Sequence, residues 1–128
     1  MDKQPVRTEK APAPFQGAPY SQGIVSGDLV FVSGQLGIDP ASGQMVEGGV
    51  AEQADRVLQN LQAILEEAGS SLDRLVKTTI FLADLGDFAA VNEVYARYVG
   101  STPPARSTFQ VAGLPSGALL EIEAIARR

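Results

Sequence analysis

Three short segments are apolar at consecutive positions, and this constrains the fold more than any other feature of the chain. They are Val30-Phe31-Val32, Ile80-Phe81-Leu82 and Leu119-Leu120 with Ile122. Successive side chains of a strand point to opposite faces. A strand that is apolar at neighbouring positions therefore expects cover on both sides. Only two segments can supply it as helices. Val50 to Ala68 repeats Val50, Ala54, Val57, Leu58, Leu61, Ile64, Leu65 and Ala68 at helical spacing, with Glu52, Asp55, Gln59, Gln62 and Glu66 off that stripe. Gly69 is placed to stop it. Phe88 to Val99 is the second helix, with Phe88, Val91, Tyr95 and Tyr98 as its stripe, Asp87 as its cap and Gly100 at its end. Two helices cover one face of a sheet. The other face is left for a further subunit, so a homo-oligomer is expected. The competing expectation is a monomer with a wet, partly apolar face.

The remaining strands follow from turn signals. Gly23 to Ser26 and Leu29 to Ser33 flank a two-residue turn at Gly27-Asp28. Gly34 to Gly49 reads as a loop around Asp39-Pro40. Leu75 to Leu82 is rich in β-branched residues. After Pro103-Pro104 come strands at Ser107 to Val111 and Leu119 to Ala126, joined by the turn residues Gly113, Pro115 and Gly117. This order predicts a single α+β domain over residues 1–128, a mixed β-sheet with two helices packed on one face. Residues 1–19 hold Pro5, Pro12, Pro14 and Pro19, and read as an extended N-terminal arm. No apolar run approaches membrane-span length and no secretory signal is visible, so a cytoplasmic protein is expected.

The chain has no cysteine and no histidine, and its net charge is −5. That excludes a disulfide, a thiolate nucleophile, a Cys/His zinc site and a Ser-His-Asp triad. A general acid or base must be Asp, Glu, Tyr, Lys or a water. Nucleic-acid binding draws on basic clusters, and Arg127-Arg128 is the only basic pair, so nucleic acid is an unlikely partner.

Among the residues that can carry chemistry, Arg106 opens a strand after two prolines. Its planar fork can grip a carboxylate at two points, or it can be a solvated arginine with a buried stem. Glu121 and Glu123 stand two apart on the last strand and share a face. With a turn centred near Pro115, Arg106 and Thr108 are expected close to that pair. The reading is then either a proton-handling glutamate or a cross-strand ion pair. Periodicity does not choose between the two glutamates. Tyr20, Ser33, Gly34 and Asn92 are unremarkable singly, although Asn92 lies on the helical side of Phe88 and Tyr95, where an amide needs a partner.

Pro104-Ala105-Arg106-Ser107-Thr108, then Val111-Ala112-x-Leu114-Pro115, then Glu121-Ile122-Glu123-Ala124-Ile125-Ala126 resemble the signature of the RidA (YjgF) family. The likeness extends through Ser33-Gly34-Gln35, Val76-Lys77-Thr78-Thr79, Asp84-Leu85, Asp87-Phe88, Val91-Asn92 and Tyr95, over nearly the whole chain. The resemblance implies a chorismate-mutase-like fold and a homotrimer with ligand sites in the clefts between subunits. It implies hydrolysis of reactive 2-imino (enamino) acids, 2-iminobutanoate and 2-iminopropanoate, to 2-keto acids and ammonia, without metal or organic cofactor. Carried onto this chain, it makes Arg106 the clamp for the substrate carboxylate and Glu121 the group that orients the attacking water. Thr108 would line the pocket, and Tyr20, Ser33, Gly34 and Asn92 would complete it. Two departures stand out. Thr108 occupies a position where some relatives carry cysteine, and Ala18-Pro19-Tyr20 replaces the more usual Gly-Pro-Tyr. The alternatives are a non-catalytic module that binds small keto or amino acids, a ribonuclease or translation inhibitor, and a holdase. The acidic charge and missing histidine weigh against the nuclease.

Overall fold

A computed structural model describes residues 2–128. Met1, the first residue of the expected arm, lies outside the described residues. The stripe read from the sequence becomes the buried face of α1, Val50–Glu67, where Ala54, Val57, Leu58, Leu61, Ile64 and Leu65 are all sealed from solvent. Each large side chain buried in this way contributes about 1.5–3 kcal/mol. The Glu52 carboxylate accepts from the Gly49 N–H at 2.7 Å and ties down the first turn. At the other end Gly69 takes φ +83°, and Ser70 N–H donates to Leu65 O at 2.8 Å, closing the helix.

The sheet has six strands: β1 Gln4–Val6, β2 Gly23–Ser26, β3 Leu29–Gln35, β4 Leu75–Leu82, β5 Ala105–Gln110 and β6 Leu120–Arg127. Their order is β1-β2-β3-β6-β4-β5. β4 and β5 pair in parallel, and the other neighbours are antiparallel, so the sheet is mixed as expected. Gly27, at φ +61°, makes the two-residue turn that sets Ser26 opposite Leu29. β1 is a strand inside the arm that the sequence does not announce. It lies at the sheet edge, where Pro5 removes no needed donor.

α2, Phe88–Val99, lies beside α1 over the same sheet face. Its core side is Val91, Val94, Tyr95 and Val99, while Phe88, expected in the stripe, is 41% exposed. Asp87 occupies the cap position but makes no side-chain cap bond. Asp84 does that work one turn earlier, accepting from Gly86 N–H at 2.8 Å, because a 3-10 turn at Leu85–Asp87 runs straight into the helix.

The expected hairpin between the last two strands does not form. β4 lies between β5 and β6. The physical cause is α2, which acts as a crossover and returns the chain to lay β5 parallel beside β4. The segment with Gly113, Pro115 and Gly117 then carries the chain past β4 to β6. Register across the three strands sets Arg106 beside Thr78 and Ala124, and Phe109 beside Phe81 and Glu121. Thr78, Ile80, Ile122 and Ala124 are buried beneath the helices. Arg106 and Thr108 therefore point to the helix side, whereas Glu121 and Glu123 point to the open side. That side holds Phe31 and Phe109, 41% and 45% exposed, with Phe109 edge-on to Phe81 at 5.3 Å. The doubly apolar strands thus have one covered face and one open apolar face. Among the described residues no helix is long and apolar enough to cross a membrane.

Candidate active site

The first group of expected residues gathers where β5 meets α2. The Arg106 guanidinium carbon lies 5.1 Å from the Tyr95 ring centroid and 5.3 Å from that of Phe88. No carboxylate of the described residues pairs with it; the ion pair they hold is Arg127 with Asp28, 2.7 Å apart at the surface. The Tyr95 hydroxyl and Thr78 Oγ1 share a buried hydrogen bond of 2.6 Å. Burial pushes the Tyr95 phenol upward, against the opposing pull of Thr78 and Arg106, so it stays neutral. Two residues beyond Arg106 on the same face, Thr108 Oγ1 is buried with no hydrogen-bond partner among the described residues. A buried hydroxyl left unpaired costs about 1–3 kcal/mol, which a ligand or water can recover. Asn92, half-buried, sits on α2 at the spacing that aligns it with Phe88 and Tyr95.

The second group surrounds a β-bulge in β3. Pairing with β6 steps from Val32 opposite Ala124 to Gln35 opposite Ile122, so Ser33 and Gly34 together face one residue of β6. The bulge brings the Gly34 backbone against the Glu121 side chain. A methyl group at Gly34 would fall 2.1 Å from Glu121 Oε2 and 2.7 Å from its Cδ. Only glycine leaves room for the carboxylate. Desolvation raises the Glu121 pKa, and the neighbouring Glu123 adds to it. Glu123 itself is exposed. The two glutamates that periodicity left equivalent are thus separated by burial. Ser33 Oγ donates to Ser21 O at 2.6 Å. The Tyr20 hydroxyl accepts from Phe15 N–H at 2.5 Å, and its ring shares a small cavity with Phe15, Gly34 and Leu36.

Gln22 holds the arm in this place and has no signal in the sequence. It is 4% exposed. Its Nε2 lies 2.8–3.1 Å from the carbonyls of Thr8, Ala11 and Pro12, and its Oε1 accepts from Thr8 N–H at 2.7 Å. A cavity of about 730 Å³ lies under this arm and is lined by Tyr20 but by neither Arg106 nor Glu121. Among the described residues no three of Asp, Glu, His or Cys gather as a metal would require.

Within one chain the expected residues therefore fall into two groups on opposite faces of the sheet. Arg106, Thr108 and Asn92 stand on the helix side of the sheet; Glu121 stands on the open side with Gly34, Ser33 and Tyr20. The expected proximity of Arg106 to the Glu121/Glu123 pair does not hold inside the chain, because β4 intervenes and the faces are opposite.

Residues 8–128 match the sequence model of the family described as Endoribonuclease L-PSP. A RutC family protein of Pyrococcus abyssi is 52% identical over 126 residues, covering 98% of each chain. A protein of Capra hircus named 2-iminobutanoate/2-iminopropanoate deaminase is 51% identical over 121 residues, covering 94% of this chain and 87% of its own. The crystal structure of RidA from an Antarctic Psychrobacter superposes with a TM-score of 0.93 at 44% identity, covering 98% of this chain and 99% of that one.

Proposed function

The chain belongs to the Endoribonuclease L-PSP (RidA/YjgF) family, and on that premise we propose that it hydrolyses 2-imino acids to 2-keto acids and ammonia at a site completed between two copies of itself. The observation that carries the chemistry is Glu121. It is a half-buried carboxylate with a raised pKa, seated in a notch that only glycine provides, in a chain without histidine or cysteine. A relative at 51% identity bears the name of this activity. The names of the two RutC family relatives from Pyrococcus specify no reaction.

Arg106 supplies the complementary half. Its N–H groups are unclaimed by any carboxylate of the described residues and suit the bidentate grip of the substrate carboxylate. Thr108 Oγ1 offers a hydroxyl to the bound ligand. Because the two halves lie on opposite faces of one sheet, they meet only when a second chain brings its Glu121 face to the Arg106 edge of the first. The open apolar face with Phe31, Phe81 and Phe109 favours such an assembly, and a cyclic trimer satisfies it.

The reaction needs no nucleophilic side chain, since the iminium carbon is already electrophilic. Water attacks C2 while the Glu121 carboxylate takes its proton, and the C2=N π pair moves to nitrogen. Protonated Glu121 returns that proton to the amine of the carbinolamine. The C–N bond breaks to release ammonia, and the C2 hydroxyl loses its proton to form the keto group. Positioning and one proton-handling group carry the rate, the latter contributing about 10²–10⁴-fold. Such a substrate is released by pyridoxal-phosphate dehydratases acting on serine or threonine, and the proposal includes a place beside them in the cytoplasm. The nuclease in the family description gains no support from a chain of net charge −5 without histidine.

The test is decay of 2-iminobutanoate, made in situ by a threonine dehydratase and followed by semicarbazide trapping. Wild type suppresses the semicarbazone, and Arg106→Ala loses kcat/KM on the order of a hundredfold or more, as removal of a charge partner does. Equal decay with and without wild-type protein would overturn the reading.

A further inference from the structure

Arg106 lies over two aromatic rings, and each ring has its own anchor. Tyr95 is buried on α2, and its hydroxyl is bonded to Thr78, the residue paired with Arg106 in the sheet. The strand that registers the Arg106 backbone therefore also fixes the ring beneath its side chain. Phe88, two turns earlier on the same helical side, is 41% exposed although it is a large apolar residue. Within the single chain its ring is not held by burial, and its contact is the guanidinium 5.3 Å from its centroid. A ring face attracts the cation without consuming its N–H donors, so the edge stays free for a carboxylate.

We infer that Phe88 and Tyr95 form an aromatic cradle that positions Arg106 for carboxylate binding, with Phe88 as the outer wall that tunes substrate affinity. Neither ring is a catalytic residue here; both act through Arg106. The inference rests on the deaminase reading for its purpose but is testable apart from it.

The experiment pairs Phe88→Leu, which removes the ring, with Phe88→Tyr, which keeps it. Affinity for 2-oxobutanoate is measured by calorimetry, and KM and kcat are measured with in-situ 2-iminobutanoate. Phe88→Leu is expected to raise Kd and KM about two- to fivefold, the size an exposed cation–π contact carries, with kcat unchanged. Phe88→Tyr restores wild-type values. In an Arg106→Ala background Phe88→Leu has no further effect on 2-oxobutanoate binding. Wild-type Kd in Phe88→Leu, equal weakening in Phe88→Tyr, or the same weakening without Arg106 would each overturn the cradle. Phe88-dependent binding of 2-oxobutanoate by a wild type that does not hydrolyse the imine would uphold the cradle and refute the deaminase reading instead.

Discussion

Substitution of Gly34 by alanine tests the notch that holds Glu121. The added methyl would sit 2.1 Å from Glu121 Oε2, where ordinary contact begins at 3.4 Å, so the carboxylate must retreat by about 1.3 Å. Gly34 does not have a positive φ, so alanine brings no backbone strain. The atom in the way is the end of a flexible side chain, so the fold yields at small cost. Catalysis does not yield so easily, because a misplacement of this size at a reacting group costs about a hundredfold. Gly34→Ala is therefore expected to keep a melting curve close to wild type and to lose about a hundredfold in kcat in the semicarbazide competition assay. Wild-type kcat would show that the carboxylate position does not matter. A chain that fails to fold would show that the notch is a packing requirement, and either result refutes the reasoning.

Burial also gives Glu121 a cost in stability. Its folded pKa is raised above the unfolded value, so its contribution to stability is present below about pH 4.3 and is lost as pH rises through the folded pKa. Glu121→Gln should then melt higher than wild type at pH 7 while losing deaminase activity, with the gap closing below pH ~4; calorimetric scans at both pH values check this. Glu123→Gln removes the second cause of the raised Glu121 pKa, so the acidic limb of the pH–rate profile should move to lower pH. An acidic limb that stays in place would separate Glu121 from the proton transfer.

The sequence is most legible where one element carries its own signal. The α1 stripe and Gly69 set the ends of that helix to within a residue, because both are local facts of spacing and φ. The turn at Gly27-Asp28 is legible for the same reason. The neighbour of β5 is not. Gly113, Pro115 and Gly117 signal a change of direction but not which strand lies beyond it, and the crossover through α2 decides that. β1 is hidden because only Val6 of its three residues is buried, which leaves no alternation to read. At the site, the distinction between Glu121 and Glu123 depends on a bulge in a strand some ninety positions away. Tyr95 and Phe88 look like core residues at helical spacing; only the position of Arg106 shows a further use for them. The RidA resemblance supplied residues that periodicity could not rank, whereas the opposite-face placement of its two halves came from strand order.

The central claim is that Arg106 of one chain and Glu121 of another complete a single site. It is tested most directly by co-expressing Arg106→Ala with Glu121→Gln, each expected to lose most activity alone, and measuring 2-iminobutanoate decay by the mixed assemblies. Random pairing leaves about a quarter of the interfaces with both groups intact, in a dimer or a cyclic trimer alike. Recovery to about a quarter of wild-type activity is the predicted result. Mixed assemblies as inactive as either variant alone would contradict the account.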